Sequence, residues 1–399
     1  MRVCVDLSIL RVRPTGVGYY GYFLATALGE NFAEAEDYLV FDGLRFQSLR
    51  AFIDAHPRRS VIKASVYQSV WNAAAPYGVV RNAWRQLKGA AFSRGSAQCD
   101  LVHAIAYAPP LHATTAWLPL IHDMSHLRCP EFHPAERVRW LRAHDAAIDN
   151  AVLVNTVSEF TKSEIVALLG VAPQRVRVTY PGVNPAFAAA RADDVSALSH
   201  YGLTPGRFLL SVATIDPRKN LAGIAAAFAQ LPAAFRRDVP LVFVGQAGWR
   251  RVEFPKSVAR LQERGEIRFA GYVPVDHLRA LYRNTALFLY PSHYEGFGLP
   301  VAEAHLTGAP VAIAQGGGPR EAGCGLALEV ASADLERWTE VMREALEGEG
   351  WRDDKARAAR VAAAKAFTWE RNARQTKKIY DEIAQCLSSQ HRPRAAAGR

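Results

Sequence analysis

Residues 286–314 read Ala286-Leu-Phe-Leu-Tyr-Pro-Ser-His-Tyr-Glu295-Gly-Phe-Gly-Leu-Pro300-Val-Ala-Glu303-Ala-His-Leu-Thr-Gly308-Ala-Pro310-Val-Ala-Ile-Ala314, the most informative stretch of the chain. The apolar run at 286–290 predicts a strand. Pro300 stands where a first helical residue belongs, Gly308 falls just past a helix end, and the apolar run at 311–314 predicts a second strand. Together they predict a βαβ unit whose loop lies at the carboxyl edge of a parallel sheet. A helix starting at Phe297, Gly298 and Leu299 offers backbone N–H groups to an anion, and Gly296 and Gly298 leave room for a phosphate to approach. Glu295 and Glu303 flank that position, and carboxylates beside a phosphate make sense if they accept hydrogen bonds from hydroxyl groups. The expected ligand is therefore a diphosphate with a sugar at each end. Taken singly, Glu303 reads better as a complement to the helix dipole, and Glu295 as a solvated loop residue; the glycines, the proline and the spacing together favour the ligand-binding reading.

Glu295 and Glu303, separated by seven residues that include Gly-Phe-Gly-Leu-Pro, form a pattern that resembles the donor-binding motif of retaining glycosyltransferases of the two-Rossmann-domain (GT-B) kind. The likeness is to family 4, the glycosyl transferases group 1, which contains bacterial mannosyltransferases and relatives of sucrose and glycogen synthases. The resemblance implies an α/β fold of two Rossmann-like domains facing a central cleft, with a C-terminal helix crossing back to the first domain. It also implies that Glu303 holds the nucleotide ribose, that Glu295 contacts the transferred sugar, and that the amides of Phe297, Gly298 and Leu299 contact the diphosphate.

A chain of 399 residues suits two α/β domains of about 180 to 200 residues each. The expected division is an acceptor-side domain at 1–185, a nucleotide-sugar-binding domain at 186–368, a crossover helix at 369–387 and a disordered tail at 388–399. Cys4, Cys99, Cys129, Cys324 and Cys386 are odd in number and lack metal-ligand spacing, which predicts reduced thiols in a cytoplasm, no disulfide and no zinc. The chain opens Met1-Arg-Val-Cys-Val-Asp-Leu without a charged-then-apolar leader, and no run approaches a membrane span, so a cytoplasmic protein is expected.

The net charge of +10 concentrates in residues 45–98, where nine Arg or Lys face the single Asp54 and alternate with aromatics such as Phe46, Trp71 and Trp84. This stretch reads as a surface for anionic membrane lipid or a lipid-linked acceptor, placing the protein peripherally on the inner face of the plasma membrane. It reads equally as a solvated insertion whose aromatics pack on the domain.

Residues 3–7 predict an opening strand, followed by a glycine turn containing Gly16 and Gly18. The turn is not a full G-x-G-x-x-G and by its residues is equally a tight turn feeding a helix. The resemblance sets Gly16 and Gly18 beside the donor's phosphate and sugar. A predicted strand at 117–121 ends in His122-Asp123, where such folds place chemistry. The resemblance carries a sugar-proximal role to His122 and an acceptor-side polar role to Asp123, while His126 and His133 read as loop or packing histidines. Residues 186–205, poor in large apolar side chains, read as the connection between domains.

In the second domain, a predicted strand at 208–213 delivers Thr214-Ile-Asp-Pro-Arg218-Lys219-Asn220. Adjacent cations at a strand-to-helix loop belong beside an anion and neutralise charge on a departing diphosphate. The family usually carries a further Arg five residues before the Lys, where this chain has Thr214. Tyr272 and Val273 follow a predicted strand at 267–270, and the resemblance makes them the base pocket. Gln315-Gly-Gly-Gly318-Pro-Arg-Glu reads as a mobile loop closing over the sugar.

No D-x-D sequence occurs, so no metal clamp and no cofactor are expected, and phosphate charge falls to Arg218, Lys219 and the helix start. The resemblance implies metal-independent transfer of a hexose from a nucleotide-sugar donor to a glycan or lipid-linked acceptor, with retention, in cell-surface polysaccharide synthesis. His122, Asp123, Lys219 and Glu295 are the catalytic candidates. The His122 segment and residues 216–220 look most like mannosyltransferases, which points to GDP-mannose, with a UDP-sugar as the alternative. A nucleotide-sugar epimerase or a phosphorylase of the same fold is a second reading, although no motif singles out a lysine for pyridoxal phosphate. A pI near 9.5 is compatible with a non-catalytic nucleic-acid binder. No recognition-helix or RNA-platform motif accompanies it, so no nucleic-acid partner is expected.

Overall fold

The computed structural model describes every residue except 12–15, 33–36, 56–77, 107–114, 189, 192–193, 249–251, 349–352 and 391–399. The chain forms two compact units, one from Met1–His122, Leu141–Gly182 and Trp369–Arg399, the other from Asp123–Trp140 and Val183–Thr368.

The first unit is built on a seven-stranded sheet of β1 (Val3–Asp6), β2 (Tyr38–Phe41), β3 (Phe46–Ser48), β4 (Leu101–Ala104), β5 (Ala116–Ile121), β6 (Val154–Thr156) and β7 (Val176–Val178), in the order β3-β2-β1-β4-β5-β6-β7. Only β3 is antiparallel to its neighbour. The inner strands are apolar on both faces, as a parallel sheet covered by helices requires: Cys4, Val5, Leu101, Val102 and Leu118 are all buried. One covering layer pairs the helices Gly16–Asn31 and Trp369–Gln390. Trp369 stacks on Phe23 at 5.3 Å and meets Tyr20 edge-on at 5.2 Å. Further along the same helix, Tyr380 Oη lies 2.7 Å from His103 Nδ1 on β4.

The second unit carries a six-stranded, wholly parallel sheet of β8 (Leu209–Val212), β9 (Leu241–Val244), β10 (Ile267–Gly271), β11 (Leu287–Tyr290), β12 (Val311–Ala314) and β13 (Leu328–Val330), in the order β10-β9-β8-β11-β12-β13. Leu209, Phe228, Leu241, Phe243, Leu289 and Trp338 form the centre of its core. Strand order reverses between β8 and β11, which opens a crevice at the carboxyl ends of those two strands, the usual ligand position in such sheets.

Three expectations are corrected. Residues 123–140, expected in the first domain, pack with the second unit: the Met124 amide donates to Tyr294 Oη at 3.3 Å, and Phe132 stacks on His293 at 5.5 Å. The stretch 186–205 is no bare connection, because Phe187 and Leu198 are buried and Asp194, on the helix Asp194–Ser199, pairs with buried Arg279 at 2.8 Å. The last helix runs on to Gln390, so residues 388–390 are helical, and the rest of the expected tail lies outside the described residues.

Much of the basic aromatic stretch also lies outside the described residues. Within its described part, Phe46 and Phe92 pack on Phe41 at 4.9 and 5.0 Å, so these aromatics serve the domain interior. Among the described residues, no helix is long and apolar enough to cross a membrane.

Candidate active site

The two loops flanking the reversal in the second unit supply the charged residues. After β8, the Asp216 carboxylate accepts the Arg218 amide at 3.1 Å and caps the short turn Pro217–Lys219; Asn220 then takes a left-handed φ of 52° to start the helix Leu221–Gln230. After β11, Gly298 caps the helix Leu299–Thr307 with a φ of 92°, a conformation that favours glycine. The helix thus starts at Leu299, which puts Glu303 on its second turn.

These loops bring Arg218, Lys219 and Glu295 together. Lys219 Nζ donates to Glu295 Oε1, while Arg218 Nη1 donates to Glu295 Oε2 at 3.2 Å and to the Tyr294 carbonyl at 2.5 Å. Their side chains are 13, 15 and 10 % exposed respectively for Lys219, Arg218 and Glu295, so the charges interact with little water between them. Burial acts to raise the Glu295 pKa, but Lys219 and Arg218 together hold it below the ordinary carboxylate range. Burial and the neighbouring Arg218 lower the Lys219 pKa. An anionic phosphate at this place would share both cations with Glu295.

The loop at 315–318 packs against this motif at its Gly318 end. The Gly318 amide donates to the Glu295 carbonyl at 3.2 Å, and a Cβ on Gly318 would lie 2.1 Å from the Gly296 carbonyl oxygen. Only glycine permits that approach.

Glu303 is half-buried and accepts a hydrogen bond from Tyr282 Oη at 3.1 Å; burial pushes its pKa up to about 7. Tyr272 is 59 % exposed whereas Val273 is 5 % exposed, so only the tyrosine side chain is accessible to a ligand. Phe297 turns its ring inward onto Phe367 at 5.2 Å, leaving its backbone for any ligand contact.

Asp123 belongs to the same charged group. Its Oδ1 accepts both the Ser125 amide at 2.9 Å and the Ser125 hydroxyl at 2.6 Å, and His133 Nε2 lies 2.9 Å from Ser125 Oγ. Burial opposes its ionisation, but Arg218, the two Ser125 bonds and Lys219 outweigh burial and hold the carboxyl well below its usual range. His133, expected to be a loop or packing histidine, is therefore tied to a site candidate, whereas His126 is a buried packing residue. Ser125 was legible as the donor of an Asp-x-Ser turn, in which a carboxylate accepts the amide two residues on. His133 and Tyr282 carry no such local signal, because their partners are brought to them by packing.

Gly16, Gly18 and His122 lie in the first unit. His122 Nε2 donates to the Ile105 carbonyl at 3.0 Å, which places the proton on Nε2, and the ring meets Tyr20 edge-on at 5.2 Å. Tyr20 Oη accepts from Asn372 Nδ2 at 3.0 Å and is 3.2 Å from Thr179 Oγ1. Gly16 and Gly18 open the helix Gly16–Asn31. Among the described residues, no group of three or more His, Cys, Asp or Glu is placed to hold a metal ion.

Comparison with known proteins accounts for most of the chain. Residues 202–366 match the family Glycosyl transferases group 1, and residues 24–187 match Glycosyltransferase Family 4. The chain is 31 % identical to O-antigen chain mannosyltransferase B of Escherichia coli over 387 residues, 95 % of this chain and 99 % of that one. It is 30 % identical over 199 residues to the serotype-specific mannosyltransferase WbdA of Escherichia coli, spanning 48 % of this chain and 23 % of that longer protein. In fold it is similar to sucrose-phosphate synthase from Thermosynechococcus elongatus, with a TM-score of 0.70, 19 % identity and coverage of 96 and 99 % of the two chains. It is likewise similar to Anabaena HepE in complex with UDP-glucose, with a TM-score of 0.67, 19 % identity and coverage of 97 and 99 %. The chain belongs to the group 1, family 4 glycosyltransferases and has their GT-B fold of two parallel-sheet α/β domains.

Proposed function

We propose that this glycosyltransferase moves mannose from GDP-mannose, with retention, to a hydroxyl of a lipid-linked or polysaccharide acceptor in cell-surface glycan synthesis. The observation that supports it most is the buried Arg218, Lys219 and Glu295 group at the strand reversal of the second unit, beside a glycine-capped helix start. That arrangement suits a substrate whose diphosphate becomes more negative as it departs. The mannosyl reading takes its support from the O-antigen mannosyltransferase relative.

In the proposed reaction the acceptor oxygen bonds to the anomeric carbon as the bond from that carbon to the phosphate oxygen breaks, on the same face. The acceptor hydroxyl's proton passes to the leaving phosphate oxygen, and GDP departs. Arg218 and Lys219 stabilise the diphosphate, Glu295 accepts hydroxyl groups of the transferred sugar, Glu303 accepts those of the ribose, and the Leu299 helix start faces phosphate oxygens. His122 is the candidate for the sugar-proximal contact from the first unit. No step requires a metal or a cofactor.

Thermal-shift titration with GDP- and UDP-sugars, followed by product analysis, tests this reading. GDP-mannose should raise the melting temperature, and Lys219→Ala and Glu295→Gln should remain folded yet lose turnover. A shift with UDP-sugars alone would replace the donor, and wild-type turnover in both variants would overturn the site. Sugar isomerised without any acceptor would identify an epimerase.

A further inference from the structure

The side chains of Asp123, Ser125 and His133 form a directional hydrogen-bond chain beside the cations. A serine hydroxyl has one proton, and the Asp123 carboxylate can only accept, so the 2.6 Å bond carries the Ser125 proton to Asp123 Oδ1. The 2.9 Å contact must then run the other way, with His133 Nε2–H donating to Ser125 Oγ. The imidazole tautomer follows from its neighbours. Two donors from Ser125 fill Oδ1, while Oδ2 accepts no hydrogen bond among the described residues. A half-buried carboxylate oxygen without a donor, a few residues from the sheet edge and grouped with Arg218 and Lys219, suits a hydroxyl group brought by a substrate.

We propose that Ser125 and His133 are positioning residues that lock Asp123 with Oδ1 occupied and Oδ2 presented to a hydroxyl of the acceptor. This rests on the transferase reading above, and it adds two residues outside the donor motif. His133 orients Ser125, Ser125 orients Asp123, and Asp123 alone touches substrate. The groups acting electrostatically on Asp123 or His133 are Arg218, Lys219, Arg137, Asp216 and Cys129, so charge changes at those positions are avoided in the test.

The chain is first read without substrate. With 15N-labelled histidine, the His133 resonance, assigned by its loss in His133→Gln, should carry its proton on Nε2; a proton on Nδ1 overturns the proposal. In kinetics, GDP release from GDP-mannose is followed with water or octyl mannoside as acceptor. Ser125→Ala should lower kcat about tenfold to a hundredfold, the size expected for losing a hydrogen bond to a charged group. It should also move the acid limb of the pH profile upward, because a carboxylate that loses a donor protonates more readily. The thermal shift with GDP-mannose should keep its wild-type size. His133→Ala should lose part of the rate and His133→Gln, which keeps an N–H at the ε position, should restore most of it. A Ser125→Ala enzyme with the wild-type rate and an unmoved acid limb overturns the proposal even if donor binding is confirmed. Conversely, a wild-type protein that shifts with neither GDP-mannose nor UDP-glucose sinks the donor reading, and the tautomer measurement still judges the chain.

Discussion

The two sheets share a strand order around their reversal, yet their polar interiors are built from different chemistry. In the second unit, buried polar contacts include several ion pairs: Arg218 and Lys219 on Glu295, Arg279 on Asp194, and Arg236 on Glu266 at 2.8 Å. Among the described residues of the first unit, neutral pairs prevail: Tyr20 with Thr179 and Asn372, His103 with Tyr380, and the Thr156 hydroxyl on the Ile121 carbonyl at 2.8 Å. Several buried atoms there, including Asn155 Nδ2, Asn372 Oδ1 and Thr376 Oγ1, have no hydrogen-bond partner among the described residues and are suited to ordered water. The first unit's described ion pairs, such as Arg177 with Glu382, lie nearer the surface. A unit that handles a diphosphate needs buried cations, and buried cations need carboxylates beside them. An interior of neutral polar pairs avoids the desolvation cost of buried charge.

This contrast can be broken experimentally. The largest effect should come from Asp194→Ala, which removes a buried carboxylate from beside the buried Arg279 guanidinium; denaturant melting should show a loss of about 3–5 kcal/mol. A cost no greater than that of a surface substitution would show that the ionic interior is dispensable. Next, Lys219→Ala should reduce transfer about 10²–10³-fold, as removal of one preorganised donor to a developing oxyanion does, while Arg218 keeps Glu295 paired and the protein folded.

A smaller effect is expected from pH. Glu303 in the free protein is protonated below about pH 7 and charged above it. If Glu303 accepts the ribose hydroxyls as proposed, it does so in its charged form, so donor affinity should be on its plateau above that pH and about tenfold weaker one pH unit below it. Glu303→Gln should flatten the pH dependence of the donor KM; an unchanged slope would remove Glu303 from the ribose. The smallest effect belongs to the first unit. Tyr20→Phe deletes one neutral acceptor while Asn372 Nδ2 keeps the Tyr180 carbonyl at 2.8 Å, so melting should show a loss of about 1 kcal/mol. A loss as large as that of Asp194→Ala would erase the distinction between the two interiors.

Local chemistry made much of this legible. The apolar runs of β8, β11 and β12 stood out because strands covered on both faces have no polar alternation. The glycine at 298 and the Asp-Pro turn at 216–217 announced their conformations through the backbone demands they meet. β3 and β13 were missed because short edge strands carry little apolar signal, and the helix Asp194–Ser199 because its anchor is a carboxylate whose partner lies 85 residues away. The assignment of 123–140 to the first domain failed for a similar reason. Chain continuity suggested one partner, and Tyr294 and His293 supplied another.

The sequence carried the βαβ pattern and the acidic residues around a glycine-bracketed helix start, and through the resemblance of that motif it pointed to the family and its α/β architecture, because such signals lie in local patterns of residue type. Pairing of Arg218 and Lys219 with Glu295, the Tyr282 bond to Glu303 and the His133–Ser125–Asp123 chain became visible only in three dimensions. They join residues distant in sequence or separated by turns, and their energies depend on burial and orientation, quantities that a linear pattern does not contain.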